Sequence, residues 1–204
     1  MEILIFMGIA FGFSVLKTRE QKRRIALLGG HLNRFEMEKL MESLMAGYLR
    51  ALGEGSAERQ AQVWEHLGAQ EEKLRVQFQQ FAEAFSQVWA DDALASTLPF
   101  ALPLATKLFP AASFDVRKTM QIHAQGIADA VANRDGLAAK ERAYLLTAEM
   151  MLMQHTCHWF CRSKAVASAR VLAHHKTHYV QVVSGVSPAT RQAYLAQTLK
   201  KNGV

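Results

Sequence analysis

The first sixteen residues form an apolar run in which Glu2 and Ser14 are the only polar side chains. A helix over residues 3–16 is about 21 Å long at 1.5 Å per residue, which is shorter than a hydrocarbon core of roughly 30 Å. Flanking Lys and Arg side chains can reach towards lipid head groups, which allows a short span or a deep insertion. We therefore interpret residues 1–16 as a membrane anchor. The alternative is a helix buried in the core, because runs of this length also form core helices.

Basic residues follow this apolar run at once, and no Lys or Arg precedes it. A cleaved signal peptide is disfavoured, because its positive charges precede the apolar segment. The positive-inside bias predicts a single-pass membrane protein with residue 1 outside and the bulk of the chain in the cytoplasm. Residues 17–31 are predicted to continue as a basic juxtamembrane helix, with a break at Gly29–Gly30. The interfacial basic cluster comprises Lys17, Arg19, Lys22, Arg23 and Arg24.

Apolar residues recur at helical spacing in the rest of the chain. One amphipathic stripe covers residues 32–52, and Gly53 and Gly55 end it. Ser56 is a suitable N-cap for the next helix, which carries apolar heptads interrupted by Glu71. The heptads favour a core helix packed closely against its neighbours. The first heptad series is Leu67, Leu74, Phe81 and Val88, and the second is Trp64, Phe78 and Phe85.

Three further helices are expected over residues 113–133, 137–179 and 188–200, because each begins near a capping residue or a turn. No strand-like alternation with turn residues is evident. The predicted fold class is all-α: a helical bundle of about five or six helices with an N-terminal apolar anchor helix. Residues 32–204 are then a cytoplasmic helical domain.

A connector over residues 91–112 is apolar but contains three prolines. Because proline cannot occupy a helix interior without loss of a hydrogen bond, only short helical turns are expected there. Its apolar side chains would pack on the core, enter the membrane interface, or contact a protein partner. The candidates for partner contact are Phe100, Leu102, Leu104 and Phe109.

Charge is distributed unevenly around the net value of +6. Residues 17–34 carry +5, residues 35–161 carry −5 and residues 162–204 carry +7. Basic regions of this kind suit anionic membrane lipids or nucleic acid. Nucleic-acid binding is disfavoured, because the basic residues are not interleaved with aromatic residues and no helix-turn-helix spacing is evident.

Cys157, His158 and Cys161 could share one side of a helix. Thiolate and imidazole are zinc ligands, so these residues form half of a candidate metal site that needs about two more ligands. His174 and His178 would lie about 24 Å from this site on a continuous helix, too far to complete it. The competing interpretation is that the two cysteines are buried and structural.

No sequence motif for catalysis was found, so neither catalytic residues nor a cofactor are assigned. The leading hypothesis is a membrane-tethered helical scaffold or adaptor at the cytoplasmic face, which binds anionic lipids and an unidentified protein partner or a second copy of itself. The alternatives are a zinc- or haem-binding helical enzyme or sensor centred on residues 155–161, and a basic nucleic-acid-binding protein.

Overall fold

The computed structural model describes residues 2–199, apart from the side chain of Leu4. The part of the chain that it describes contains nine α-helices and one two-stranded sheet. The predicted end of the last helix, at about residue 200, lies outside these residues. The helices are α1 (Glu2–Leu32), α2 (Met37–Gly53), α3 (Ala57–Ser86), α4 (Ala105–Leu108), α5 (Val116–Ala132), α6 (Ala139–Cys161), α7 (Lys164–His175), α8 (Tyr179–Gly185) and α9 (Pro188–Thr198).

The all-α bundle is confirmed, but the predicted number of five or six helices is too low for the described residues. The single helix predicted over residues 137–179 is wrong, because α6 ends at Cys161 and α7 starts at Lys164. Ser163 caps α7 by accepting a hydrogen bond from the Val166 N–H at 3.4 Å. The predicted break at Gly29–Gly30 is also wrong, since α1 is continuous across it.

Two short strands, β1 (Leu94–Ser96) and β2 (Ser113–Asp115), form an antiparallel pair in which Ala95 lies opposite Phe114. The prediction that the chain has no strands is therefore wrong. The sequence showed no sign of these strands, because three residues are too few to show an alternating pattern. The pair joins the two ends of the proline-containing connector. Residues 97–112 consequently form a loop that is closed at its base.

The central core is built around α3, which packs on α2 and α5. Its heptad residues Leu74, Phe78, Phe81 and Phe85 are completely buried, as the pattern predicted for a core helix. The interrupting Glu71 is also buried. The Tyr48 hydroxyl donates to its Oε1 at 2.8 Å, and its Oε2, which has no hydrogen-bond partner among the described residues, forms an ion pair with Arg142 at 3.1 Å. An acid in the heptad pattern is thus compatible with burial, because one oxygen accepts a hydrogen bond and the other forms an ion pair.

The helix α1 has two halves with different surroundings. Its C-terminal half packs on α3 and α6, and Leu28 is buried in the core. In the N-terminal half the large apolar side chains from Ile3 to Leu16, apart from that of Leu4, are exposed, and a Cβ atom on Gly8 or Gly12 would have nothing within 4 Å. The first half of α1 therefore extends away from the bundle.

A second, smaller core joins α6 and α7 to the C-terminal helices α8 and α9. Tyr194 of α9 is completely buried at its centre, among side chains that include Leu152, Val171 and Val182. The Ser187–Pro188 start predicted for the last helix is confirmed, with Ser187 Oγ accepting from the Thr190 N–H at 3.0 Å.

Candidate functional site

The N-terminal half of α1, residues 2–16, is here called the arm. Its large apolar side chains, apart from that of Leu4, point in all directions around the helix and are 41–75% exposed. The core-helix alternative is therefore wrong for this segment. Soluble monomers rarely expose a continuous apolar surface of this size, so the arm is the first candidate for a functional surface. The exposed side chains are Ile3, Ile5, Phe6, Met7, Ile9, Phe11, Phe13, Val15 and Leu16.

No helix within residues 2–199 is both long enough and apolar enough to cross a membrane. The single-pass span expected from the sequence is thus unsupported.

The predicted basic cluster at the end of the arm divides into two groups. Arg23 pairs with Asp92 at 2.6 Å, and Arg24 pairs with Glu20 at 2.7 Å. Lys17, Arg19 and Lys22 make no ion pair with any residue from 2 to 199. These three side chains carry the charge that remains available to an anionic partner at the base of the arm.

The connector packs against α1 just beyond the arm. The Leu104 N–H donates to Glu20 Oε2 at 3.0 Å, and the Ala165 N–H donates to the Pro99 carbonyl at 2.9 Å. Arg162 at the end of α6 donates to Gln21 Oε1 at 2.6 Å. Three separate parts of the chain are therefore held together at this end of the bundle.

Several apolar side chains of the connector remain exposed. Phe100 is 65% exposed, Leu104 45% and Phe109 47%. Leu102, the fourth candidate from the sequence, is half-buried. Leu108 is 61% exposed but was not among the candidates for partner contact. The prolines break the helical pattern there, so the sequence did not indicate whether Leu108 would be buried or exposed.

Leu104 has a left-handed backbone conformation, with φ of 58°. This conformation costs a branched residue on the order of 1–2 kcal/mol, and it persists only where the surroundings impose it. Here the hydrogen bond to Glu20 holds the Leu104 N–H while the side chain faces outwards. Leu104 is thus held one turn beyond the arm with its side chain 45% exposed.

A small cleft with a cavity volume of about 20 Å³ lies between α1 and the connector. Lys17, Arg24 and Arg162 contribute positive charge to its walls, and Glu20 is the one acid among them. The remaining lining is largely apolar and comes from the connector, including Leu98, Phe100, Leu102 and Pro103, with Trp159 of α6. Sequence reasoning did not find this cleft, because its residues come from three distant segments.

The Cys157, His158 and Cys161 stretch lies on the last two turns of α6. Burial raises the pKa of both thiols, to about 11 for Cys161, so they are poorly reactive. Desolvation, with Arg170 nearby, lowers the pKa of His158 to about 4. Arg170 on α7 contacts His158 Nδ1 at 3.2 Å because α7 folds back along α6.

The separation of about 24 Å expected between His158 and the 174–178 histidines is therefore wrong, since it assumed a continuous helix. His175 Nε2 lies 2.9 Å from Gln154 Oε1 of α6. Even so, no three His, Cys, Asp or Glu side chains within residues 2–199 are placed to share a metal ion.

Buried polar side chains join α5, α6 and the C-terminal helices. His123 Nε2 lies 2.8 Å from Thr156 Oγ1, and the Thr156 hydroxyl donates to the Leu152 carbonyl. Because that hydroxyl proton is used, His123 must donate its Nε2–H to Thr156. His155 stacks on Tyr179 at a ring-centroid distance of 4.3 Å. Neither ring is exposed, which favours a structural role for these histidines.

Glu149 is a completely buried carboxyl group on α6. Its Oε1 accepts from the Ser187 N–H at 3.1 Å, while Oε2 has no hydrogen-bond partner among the described residues. Burial raises the pKa of Glu149 to about 7, although the Ser187 hydrogen bond acts in the opposite direction. The carboxyl group thus holds the start of α9 against α6.

We expect Glu149→Gln to stabilise the protein above pH 7 and to have little effect below pH 4.5. The pKa of Glu149 rises from 4.5 to about 7 on folding, so folding favours the protonated form. Its stabilising contribution is present below pH 4.5 and is lost as pH rises through 7. The loss amounts to about 3 kcal/mol. Denaturant unfolding from pH 4.5 to 8 measures this loss, and Glu65→Gln, at an exposed position, is the control. If the free energy of unfolding of Glu149→Gln changes with pH as that of the wild type does, the raised pKa of Glu149 is wrong.

Comparison of the chain with protein-family models, with curated proteins and with solved structures finds no match in any of the three.

Proposed function

We propose that this protein is a membrane-surface adaptor whose arm inserts into a bilayer and holds the helical domain at the cytoplasmic face. The observation that carries the proposal is the exposure of the arm: its large apolar side chains, apart from that of Leu4, are 41–75% exposed around the whole helix. Burial of such side chains contributes about 1.5–3 kcal/mol each. Insertion of the whole arm would therefore supply on the order of 10 kcal/mol.

The length of the arm favours deep insertion over a complete span. Its 15 residues from Glu2 to Leu16 form a helix about 22 Å long, compared with a hydrocarbon core of roughly 30 Å. A helix that is apolar around its whole circumference has no polar side to keep in water, which disfavours an orientation flat in the interface. The arm would accordingly enter the bilayer end-on from the side of the helical domain.

Charge at the base of the arm supports an anionic surface as the partner. Lys17, Arg19 and Lys22 begin directly after the last apolar residue and have no acidic partner within residues 2–199. Basic residues next to an inserted helix gain about 1 kcal/mol each from anionic lipids, which are enriched in the cytoplasmic leaflet. Positive charge next to an inserted helix also favours the cytoplasmic side for the helical domain, by the positive-inside rule.

The connector would lie at the same interface. Phe100, Leu104 and Phe109 are exposed on a loop that Glu20 fastens to α1, one turn beyond the arm. Phe100 lines the cleft with Lys17 and Leu104 is bonded to Glu20, which favours contact of these side chains with the outer part of the bilayer. The opposite surfaces of the bundle remain available to a protein partner, which is the adaptor part of the proposal.

The test is binding of the full chain to vesicles that contain anionic phospholipid. We expect the double substitution Phe6→Glu and Ile9→Glu to weaken binding more than 100-fold, because two apolar contacts are lost and two charges enter the apolar region. These side chains are 72% and 64% exposed, so the midpoint of thermal unfolding should not change.

A matched control introduces the same charges at exposed apolar positions of the bundle. Leu49 on α2 and Val180 on α8 are 73% and 74% exposed. The Leu49→Glu, Val180→Glu variant should bind vesicles nearly as well as the wild type. Repulsion between each added carboxylate and the anionic vesicle surface should weaken its affinity by only about twofold. The proposal fails if the arm variant and this control bind equally well, or if the wild type does not sediment with vesicles.

A further inference from the structure

The helix α9 packs on α5 and β2 through a largely polar set of buried side chains. Its buried residues are Thr190, Tyr194 and Thr198, and only Tyr194 among them is large. Burial of apolar surface therefore contributes less to the docking of α9 than to the packing of α3, which buries two leucines and three phenylalanines. Polar contacts at the start of α9 consequently have a large influence on whether this helix stays docked.

The carboxyl group of Glu149 lies beneath the start of α9. Its Oε1 accepts from the N–H of Ser187, the N-cap residue of α9, while Oε2 has no hydrogen-bond partner among the described residues. The backbone of Gly126 on α5 approaches so closely that an added Cβ atom would lie 2.5 Å from Oε2. The carboxyl group is thus enclosed between α5, α6 and α9, and α9 covers it.

No cation compensates a negative charge on Glu149 within residues 2–199. On its own helix, Arg142 is two turns away and pairs with Glu71. On α5, Asp129 disfavours ionisation of Glu149 through its own negative charge, and His123 is neutral in the fold. Ionisation would therefore place an uncompensated charge in the core, and such a charge strongly destabilises the packed arrangement.

The C-terminal helices offer no compensating charge among the described residues. The start of α9 meets Glu149 with the hydroxyl residues Ser187 and Thr190, and Arg191 is exposed. Tyr179 is the titratable residue of α8, and its hydroxyl donates to the tyrosine of α9. Burial consequently raises the pKa of Glu149 to about 7, and the hydrogen bond from Ser187 reduces this rise only in part.

We propose that α9 is a pH-dependent latch, docked on α5 and α6 while Glu149 is protonated and released when this carboxyl group ionises. Release of α9 gives the carboxylate access to water, and the other helices of the bundle can remain in place. The movement is local because α9 is joined to α8 by residues 186 and 187 alone. This inference does not depend on membrane insertion of the arm.

The direction of the response follows from the two protonation equilibria. The pKa of Glu149 is about 7 while α9 is docked and 4.5 once the carboxyl group is in water. Docking is therefore fully supported below pH 4.5 and is weakened as pH rises through 7. His123, whose ring lies 5.6 Å from that of Tyr194, has a lowered pKa and acts oppositely, because its support is lost as pH falls from 6.5. Comparison of the wild type with Glu149→Gln cancels this effect, since both proteins contain His123.

The test is amide hydrogen exchange of the full chain at pH 5 and pH 8, with protection factors corrected for the intrinsic effect of pH on exchange. We expect the ratio of α9 protection in Glu149→Gln to that in the wild type to rise about 70-fold between these pH values. A ratio that does not change with pH would overturn the latch.

Comparison of α9 with α3 separates local release from unfolding of the whole domain. At pH 8 the wild-type α9 amides should exchange at least about tenfold faster than those of α3, because an undocked helix of 11 residues is unstable alone. Equal protection of the two helices would show that α9 leaves only when the whole domain unfolds, and would overturn the proposal. Glu65→Gln, at an exposed position of α3, is the control and should behave as the wild type does.

A second variant keeps Glu149 and changes only the charge beside it. Asp129→Asn removes the negative charge that disfavours ionisation of Glu149, so the docked helix should tolerate the carboxylate better. We expect greater protection of α9 at pH 8 than in the wild type and unchanged protection at pH 5. Lower protection of α9 at pH 8 would contradict the assignment of the latch to the charge on Glu149.

Discussion

Replacement of Gly126 with alanine is expected to lower the free energy of unfolding by about 3 kcal/mol, although alanine is the better helix former. Gly126 lies on α5 and faces Glu149 of α6 and Thr190 of α9. A Cβ atom there would lie 2.5 Å from Glu149 Oε2 and would also collide with Thr190 Oγ1. Neither neighbour can move away cheaply, because Glu149 holds the Ser187 N–H and Thr190 is in the first turn of α9.

Gly68 provides the control for this substitution. It lies in the middle of α3, and a Cβ atom there has nothing within 4 Å. Gly68→Ala should raise the free energy of unfolding by up to about 1 kcal/mol through helix propensity alone. Urea unfolding of both variants at pH 6 measures the contrast. Stabilisation by both substitutions would show that α5 and α9 are not packed as closely as the structure has them.

Acid is expected to unfold the protein through His123 and His155. Burial lowers the pKa of each from 6.5 to about 3, so both are neutral in the fold. For a lowered histidine pKa the stabilising contribution is full above pH 6.5 and is lost as pH falls towards 3. Each histidine accounts for up to about 5 kcal/mol over that range, and together they approach the total stability of a typical domain.

The charges around the two rings agree with this direction. Positive charge on His155 would disfavour protonation of His123, and positive charge on Lys164 and His158 disfavours protonation of His155. The His123 Nδ1 atom has no hydrogen-bond partner among the described residues. A proton added there would have no acceptor in the core, which adds to the cost of burial.

His123→Leu is the informative variant for the acid prediction. It removes one titrating group, and Thr156 keeps its hydrogen bond to the Leu152 carbonyl. Because Glu149 stabilises the fold as pH falls from 7 to 4.5, the comparison is made in the Glu149→Gln background. We expect the slope of unfolding free energy against pH, between 6.5 and 3, to fall by about half. An unchanged slope would mean that His123 is not buried in its neutral form.

Helical fold class was predictable because its signal is local. The stripe of α2, the heptads of α3 and the caps at Ser56 and Ser187 each depend on residues within a few turns of one another. The break between α6 and α7 was not predictable in the same way. Residues on both sides of Arg162 favour a helix, and the interruption is stabilised by the Ser163 cap and by packing of α7 on α6.

The candidate site was predictable only in part. The arm and its basic residues are adjacent in the sequence, so their composition identified them. The pairing of Arg23 with Asp92, which removes one charge from that cluster, joins residues 69 positions apart. The cleft required Arg162 to be brought beside Gln21, 141 positions away, and no local pattern contains that information.

Sequence alone determined that this protein is helical, that residues 3–16 are too apolar to resemble the surface of an ordinary domain, and that positive charge follows them. These properties belong to the composition and spacing of nearby residues. Tertiary structure decided that the arm extends away from the bundle, which basic side chains remain unpaired, and where the connector lies. Those outcomes depend on contacts between distant segments, because burial, ion pairing and the cleft exist only once α1, the connector and the end of α6 have come together.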